Sequence, residues 1–183
     1  FNLIGVYWKN DLRWPNENWT VTPSLRVDHF NSTKETLPAP RLALRHDLSD
    51  SWNAYLASGL YYQPPQAQEL DSTVGNPEIK SPRAWHLMMG TEKDLRQGSR
   101  GWILQSQLFY KKFENLVVSS SEFTNRNGQV VAERYNNKGV GRSYGTEFLI
   151  KYEDDPWTAW LSYTLSRSFR QSPGQEDYPF QYD

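Results

Sequence analysis

The chain has 183 residues, with 8 Trp, 11 Tyr, 8 Phe and no Cys, and its 20 Lys plus Arg against 21 Asp plus Glu leave a formal charge of −1. The length suits one domain with a sizeable core. The aromatic content excludes a solvated, non-folding chain, the balanced charge argues against a nucleic-acid partner, and the lack of Cys removes disulfides, thiolate metal sites and Cys nucleophiles together.

The first apolar run, Leu3 to Trp8, is far shorter than the roughly 20 residues of a membrane helix. With no initiator Met and no signal-type segment, the start reads as processed or cut from something longer. Period-2 patterns dominate from there on, which predicts an all-β fold of about eight strands: 2–9, 19–30, 41–48, 52–62, 84–96, 101–113, 139–152 and 157–170. Pro23 inside the second strand predicts an edge or a bulge. In the fourth, Trp52, Ala54, Leu56, Leu60 and Tyr62 oppose Asn53, Tyr55, Ala57, Gly59 and Tyr61. In the seventh, Val140, Tyr144, Phe148, Ile150 and Tyr152 oppose Gly141, Ser143, Gly145, Glu147 and Lys151. In the last, Trp157, Ala159, Leu161, Tyr163 and Leu165 oppose a face rich in hydroxyls. The apolar faces of these last two strands read as free of charge, whereas Arg26, Asp28, Glu147 and Lys151 fall on opposite faces. A wet or filled lumen accepts such charges more readily than a dry core does.

The connections alternate in length. Segments 10–18, 49–51, 97–100 and 153–156 are short, while 31–40, 63–83, 114–138 and the tail from 171 are long. An up-and-down antiparallel sheet places alternate connections on one rim, as transmembrane β-barrels do. Trp8, Trp14, Trp19, Trp52, Trp102 and Trp157 lie within or beside the short connections, which predicts one membrane-interface girdle. The alternative is that these Trp residues open the strands of a soluble sandwich.

Several motifs in order resemble the barrel of TonB-dependent outer-membrane receptors. They are Tyr62-Gln63-Pro64-Pro65, Gly75-Asn76-Pro77-Glu78-Ile79-Lys80, Ala84-Trp85-His86, Gly90-Thr91-Glu92, Leu108-Phe109-Tyr110 and Asn115-Leu116-Val117. The series continues through Asn137-Lys138-Gly139-Val140-Gly141-Arg142-Ser143-Tyr144-Gly145-Thr146-Glu147 and Leu161-Ser162-Tyr163-Thr164-Leu165-Ser166 to Tyr182-Asp183. Thr22-Pro23-Ser24-Leu25-Arg26-Val27-Asp28 is similar to an earlier barrel strand of the family. The resemblance implies a segment from the C-terminal part of a larger antiparallel up-and-down transmembrane β-barrel of about 22 strands in the bacterial outer membrane. It implies active uptake of scarce nutrients such as ferric siderophores or cobalamin, with outer-membrane lipid, the receptor's own plug domain and the TonB energy-coupling complex as partners. Residues 1–183 read as barrel throughout, without a plug domain.

Asn125, Arg126, Asn127 and Tyr135 are the candidate ligand contacts, by their position in a long loop. Glu147 predicts an interior ion pair with Arg or Lys from a neighbouring strand or a plug. No catalytic, metal or cofactor-binding residues are assigned: His29, His46 and His86 are scattered, and Glu153-Asp154-Asp155 before Pro156 reads as a solvated turn. Two other readings compete, a complete eight-stranded outer-membrane barrel with a structural or adhesive role and a soluble carbohydrate-binding β-sandwich.

Overall fold

The structure is a computed structural model, and it describes residues 3–14, 18–126 and 128–179. The strands are β1 (Leu3–Lys9), β2 (Leu12–Trp14), β3 (Trp19–Phe30), β4 (Glu35–Ser49), β5 (Trp52–Tyr62), β6 (Arg83–Asp94), β7 (Gly101–Arg126), β8 (Gln129–Asp154), β9 (Trp157–Gln171) and β10 (Tyr178–Pro179). They form one antiparallel meander in the order β1-β3-β4-β5-β6-β7-β8-β9-β10, with β2 also on β3. The eight long strands are those the alternation predicts. Among the described residues no second layer covers the sheet and its two ends do not pair, which rules out the sandwich and the closed eight-stranded barrel for this chain.

Cα partners across a ladder share a face, so the register sorts the side chains. One face carries Trp19, Val21, Leu25 and Val27 on β3, Leu42 and Leu44 on β4, and Leu56 on β5. It continues with Trp85, Leu87 and Met89 on β6, Leu104, Leu108 and Tyr110 on β7, Tyr144, Phe148 and Ile150 on β8, and Leu161, Tyr163 and Leu165 on β9. Most of these large apolar groups are exposed, which water alone would penalise at about 25 cal/mol per Å². The band is bordered by charge: on β7 it runs from Trp102 to Tyr110, about 26 Å along the strand, before Lys112. At a strand tilt of about 40° this length projects to roughly 20 Å, and with the border rings it approaches the apolar band of an outer-membrane barrel, about 25 Å tall.

Four expectations change. The connection 31–40 shrinks to a turn at 31–34, because β4 begins at Glu35. Pro38 and Pro40 hide this stretch from a strand reading, yet they share parity, and β4 is unpaired with β5 until Arg41. Their missing N–H groups therefore cost no ladder bonds. Second, segment 114–138 is not a loop but the upper half of the β7–β8 ladder. Each of these strands has 26 residues, whereas about 9–11 suffice to cross a bilayer. The hairpin therefore projects far beyond the band, bent by register shifts near Asn115 (φ 57°) and between Ser120 and Phe123.

Third, the outward faces of the last two strands do carry charge. Arg142 and Arg167 share the parity of Tyr144 and Leu165 and stand at the band's upper border. Fourth, Trp8 partners Leu25, six positions along β3 from Trp19, and so lies about 20 Å from the other indoles' rim. Pro23 fits its bulge: β1 stops opposite Ser24, β2 resumes opposite Val21, and Asn10 donates its N–H to the Pro23 carbonyl at 3.2 Å.

Candidate functional site

The face opposite the apolar band is polar and forms the wall of a lumen. Nearer the short turns, one row of partners runs Arg45, Tyr55, Gly90, Gln107, Glu147. Gly90 has no Cβ because the Tyr55 ring lies across it; a methyl there would meet Tyr55 Oη at 2.5 Å. Crossing that gap, Tyr55 Oη donates to Gln107 Oε1 at 3.0 Å, and Gln107 Nε2 donates to Glu147 Oε2 at 2.9 Å. The partner of Glu147 in this wall is therefore a neutral amide rather than the Arg or Lys anticipated. In the next row, Asn53 Nδ2 and Gln105 Nε2 both donate to the Glu92 carboxylate, at 3.3 and 2.5 Å. At the short-turn rim, Arg96 bridges Asp94 and Glu153 at 2.6 Å each, and Arg100 holds Asp154 at 3.1 Å. The acidic turn is thus ion-paired rather than merely solvated.

Toward the long loops the character reverses. The row Ser24, Arg41, Gly59, His86, Lys111, Ser143 crosses six strands on the lumen face. Arg41 crosses Gly59, where a Cβ would come within 2.8 Å of its Cγ, and its guanidinium lies 4.2 Å from the Tyr61 ring centroid. Tyr61 stacks in turn on His86 at 4.3 Å. Lys111 sits 5.0 Å from the Phe109 centroid. Among the described residues neither Arg41 nor Lys111 has a carboxylate partner, and Arg41 Nε is buried without a hydrogen bond. A depression of about 230 Å³ opens here, with Lys9, Ser24, Arg41, Tyr61 and His86 among its lining.

Above this row the outer segments lock together. Asn76, 5% exposed, donates to the Tyr135 carbonyl at 2.6 Å. Asn137 accepts from Lys80 N at 2.6 Å and donates to the Lys80 and Asn115 carbonyls at 2.9 Å. Glu35 accepts from both the N–H and the hydroxyl of buried Ser81, at 2.9 and 2.8 Å. The β3–β4 turn, segment 63–82 and the projecting hairpin therefore form one cap. Local carboxylates stiffen it. The Thr73 and Val74 amides hold the Asp71 carboxyl below its ordinary value. The Ser120 hydroxyl, then the Asn136 amide, do the same for Glu133 in the projecting hairpin.

The predicted ligand contacts divide. Asn125 shapes the hairpin tip by accepting from the Gly128 N–H at 2.9 Å. Arg126 lies 3.8 Å from Glu78, and its Nε and Nη2 are buried without hydrogen bonds. Tyr135 holds the cap through its carbonyl, and Asn127 lies outside the described residues, as do Tyr182 and Asp183. Sequence reasoning passed over Arg41, Tyr61, Lys111 and Asn137 as functional groups. Period-2 parity was the available signal for the first three: Arg41 with Ala43 and Arg45, Tyr61 with Ala57 and Gly59, and Lys111 with Phe109.

A family model described as TonB dependent receptor-like, beta-barrel, matches residues 1–182. Among solved structures, the outer membrane transporter YddB from Escherichia coli is similar at a TM-score of 0.68 and 16% identity, over 92% of this chain and 24% of that one. The siderophore receptor PirA from Pseudomonas aeruginosa gives 0.65 and 16%, over 95% and 35%. The FrpB iron transporter from Neisseria meningitidis gives 0.65 and 17%, over 90% and 25%. The chain thus spans about a quarter to a third of the length of these structures, and at such identities they establish its fold. With the family match over nearly every residue, the open meander, its outward apolar band and its polar lumen face are those of an outer-membrane barrel wall, and the chain belongs to the TonB-dependent receptor β-barrel family of transporters.

Proposed function

We propose that this wall serves active import of a bulky, anionic nutrient, a ferric siderophore. The observation that carries the reading is the row Arg41, His86, Lys111 on the lumen face, two cations without carboxylate partners among the described residues, beneath the outer cap. In a lumen with low-dielectric walls such a row focuses positive potential on whatever passes. Cobalamin, neutral overall, gains little from it. Arg126, 3.8 Å from Glu78, adds a third cation at the cap. In the intact receptor the lumen holds a plug domain that the TonB energy-coupling complex remodels, and the tier around Glu92 and Glu147, held by neutral amides, offers that domain an acidic, hydrogen-bonded seat. Trp14, Trp19, Trp52, Trp102 and Trp157 mark the inner limit of the hydrocarbon, and the long-loop rim faces outward.

The test is uptake of ⁵⁵Fe by cells carrying the full-length receptor, supplied with a panel of catecholate, hydroxamate and carboxylate siderophores. In the double variant Arg41→Gln with Lys111→Gln, at unchanged surface expression, the concentration for half-maximal uptake rises about tenfold, the equivalent of 1.4 kcal/mol. Wild-type uptake of cobalamin and of none of the panel, or an unchanged affinity in the double variant, overturns the reading.

A further inference from the structure

The outward face holds charges that the transport path does not use. At the outer border of the apolar band stand Arg83 on β6, Lys112 on β7, Arg142 on β8 and Arg167 on β9, all exposed. They share a face: Lys112 is the Cα partner of both Trp85 and Arg142, and Arg167 is the partner of Tyr144, diagonal to Arg142. Arg83 and Lys112 both lean on Glu114, at 2.8 and 2.7 Å, and Arg142 reaches Asp177 at 2.7 Å. Among the described residues Arg167 has no such partner, so four cations there meet two carboxylates.

Like charges directly opposite on a sheet are destabilising, and Lys112 faces Arg142 in that position. An anion from outside the chain would relieve the pair. Its source follows from what lies below. A furrow of about 480 Å³ on the outward face, lined by Leu108, Tyr144, Thr146 and Leu165, ends at Arg167. Such a furrow takes an acyl chain, and the cation at its upper end takes the phosphate of the same molecule. Adjoining it, a rim hollow of about 250 Å³ brings together Tyr110, Lys112, Arg142 and Phe169 with the carboxylates Glu114 and Asp177. The belt also steps down from β6 to β9 in the same sense as the indoles of the opposite rim, so both follow one membrane plane. We infer that Lys112, Arg142 and Arg167 form a binding site for the phosphorylated headgroup of an outer-leaflet lipid, whose chain occupies the furrow below.

The experiment uses the full-length receptor purified in mild detergent, incubated with lipid A or with its dephosphorylated form and passed through gel filtration, with bound lipid counted by mass spectrometry. The wild type retains lipid A at least about tenfold better than the dephosphorylated form, and the triple variant Lys112→Gln, Arg142→Gln, Arg167→Gln loses that preference. Inorganic phosphate at millimolar concentration leaves retention intact, because the chain contributes to binding. Equal retention of both lipids by the wild type overturns the inference, as does a triple variant that keeps the preference or displacement by inorganic phosphate alone. Should the triple variant fail to assemble, Arg167→Gln alone, judged folded by heat-modifiable migration, carries the same comparison.

Discussion

The absence of a single Cβ sets the geometry of the lower lumen. Tyr55 reaches Gln107 two strands away because the residue between them is Gly90, and the Gln107–Glu147 bond then extends the chain of partners over a third ladder. Replacing Gly90 with Val would drive a branched side chain into the Tyr55 ring and the Ser106 carbonyl, 2.6 Å from the new Cβ. Overpacking of this kind costs about 1–3 kcal/mol, and here the displaced phenol also leaves Gln107 without its donor. We expect Gly90→Val to lower the urea midpoint of the barrel folded into lipid vesicles accordingly. Pairing it with Tyr55→Ala should recover much of the steric part, whereas an unchanged midpoint in the single variant would show that Tyr55 does not lie over Gly90.

The elements differ in how far their sequence reveals them. Strands within the bilayer must alternate between hydrocarbon and lumen, so β5, β8 and β9 show a clean period of two, and their apolar face could be read from residues such as Leu161 and Ser162 alone. Above the bilayer both faces are wet and that constraint lapses. The Ser119–Glu122 stretch of β7 and Glu133–Lys138 of β8 are polar throughout and resemble loop, yet they pair almost to the tip. The overlooked signal was the Asn127-Gly128 dipeptide, a strong hairpin marker between two runs of β-formers. The cap is still less legible, because Asn76, Asn137 and Glu35 meet only in three dimensions and each bonds a backbone far away in sequence. Its dependence on them can be measured. Asn137→Ala removes one acceptor and two donated bonds and leaves backbone groups of Lys80 and Asn115 unmatched, at about 1–3 kcal/mol for each that stays buried. Amide hydrogen exchange should accelerate at least about tenfold in segment 69–82 and not in β5 or β9; uniform protection across the chain would contradict the interlock.

At the scale of the whole wall, one regularity ties sequence to membrane. From β3 to β5 the indole opening the strand moves two register positions toward the short-turn rim: Trp19 partners His46, itself opposite Ala54, two residues from Trp52. The same step recurs from Trp52, whose row leads through Lys93 to Leu104, to Trp102, and again from Trp102, whose row leads through Tyr152 to Ala159, to Trp157. One residue per strand is the shear of a barrel whose strands tilt by about 35–45°, so a line perpendicular to the barrel axis passes through these rings although no ladder row does. The periodicity of the chain showed that Trp begins strands, and the register adds the constant step that coplanar starts would require. Trp8 and Trp85 are outward too but belong nearer the outer border, and Trp160, the partner of Lys151, points into the lumen. In full-length receptors that each keep one of these indoles, with the remaining Trp replaced by Phe, lipids brominated at different depths should quench Trp19, Trp52, Trp102 and Trp157 with one common depth profile. Trp85 should share that distance from the bilayer centre but respond to bromine placed in the opposite leaflet, and Trp160 should respond to aqueous acrylamide while ignoring brominated lipid. A spread of depths among the four would mean that the strands do not carry the tilt their register implies, and the membrane plane drawn through the indoles and the cation belt would have to be abandoned.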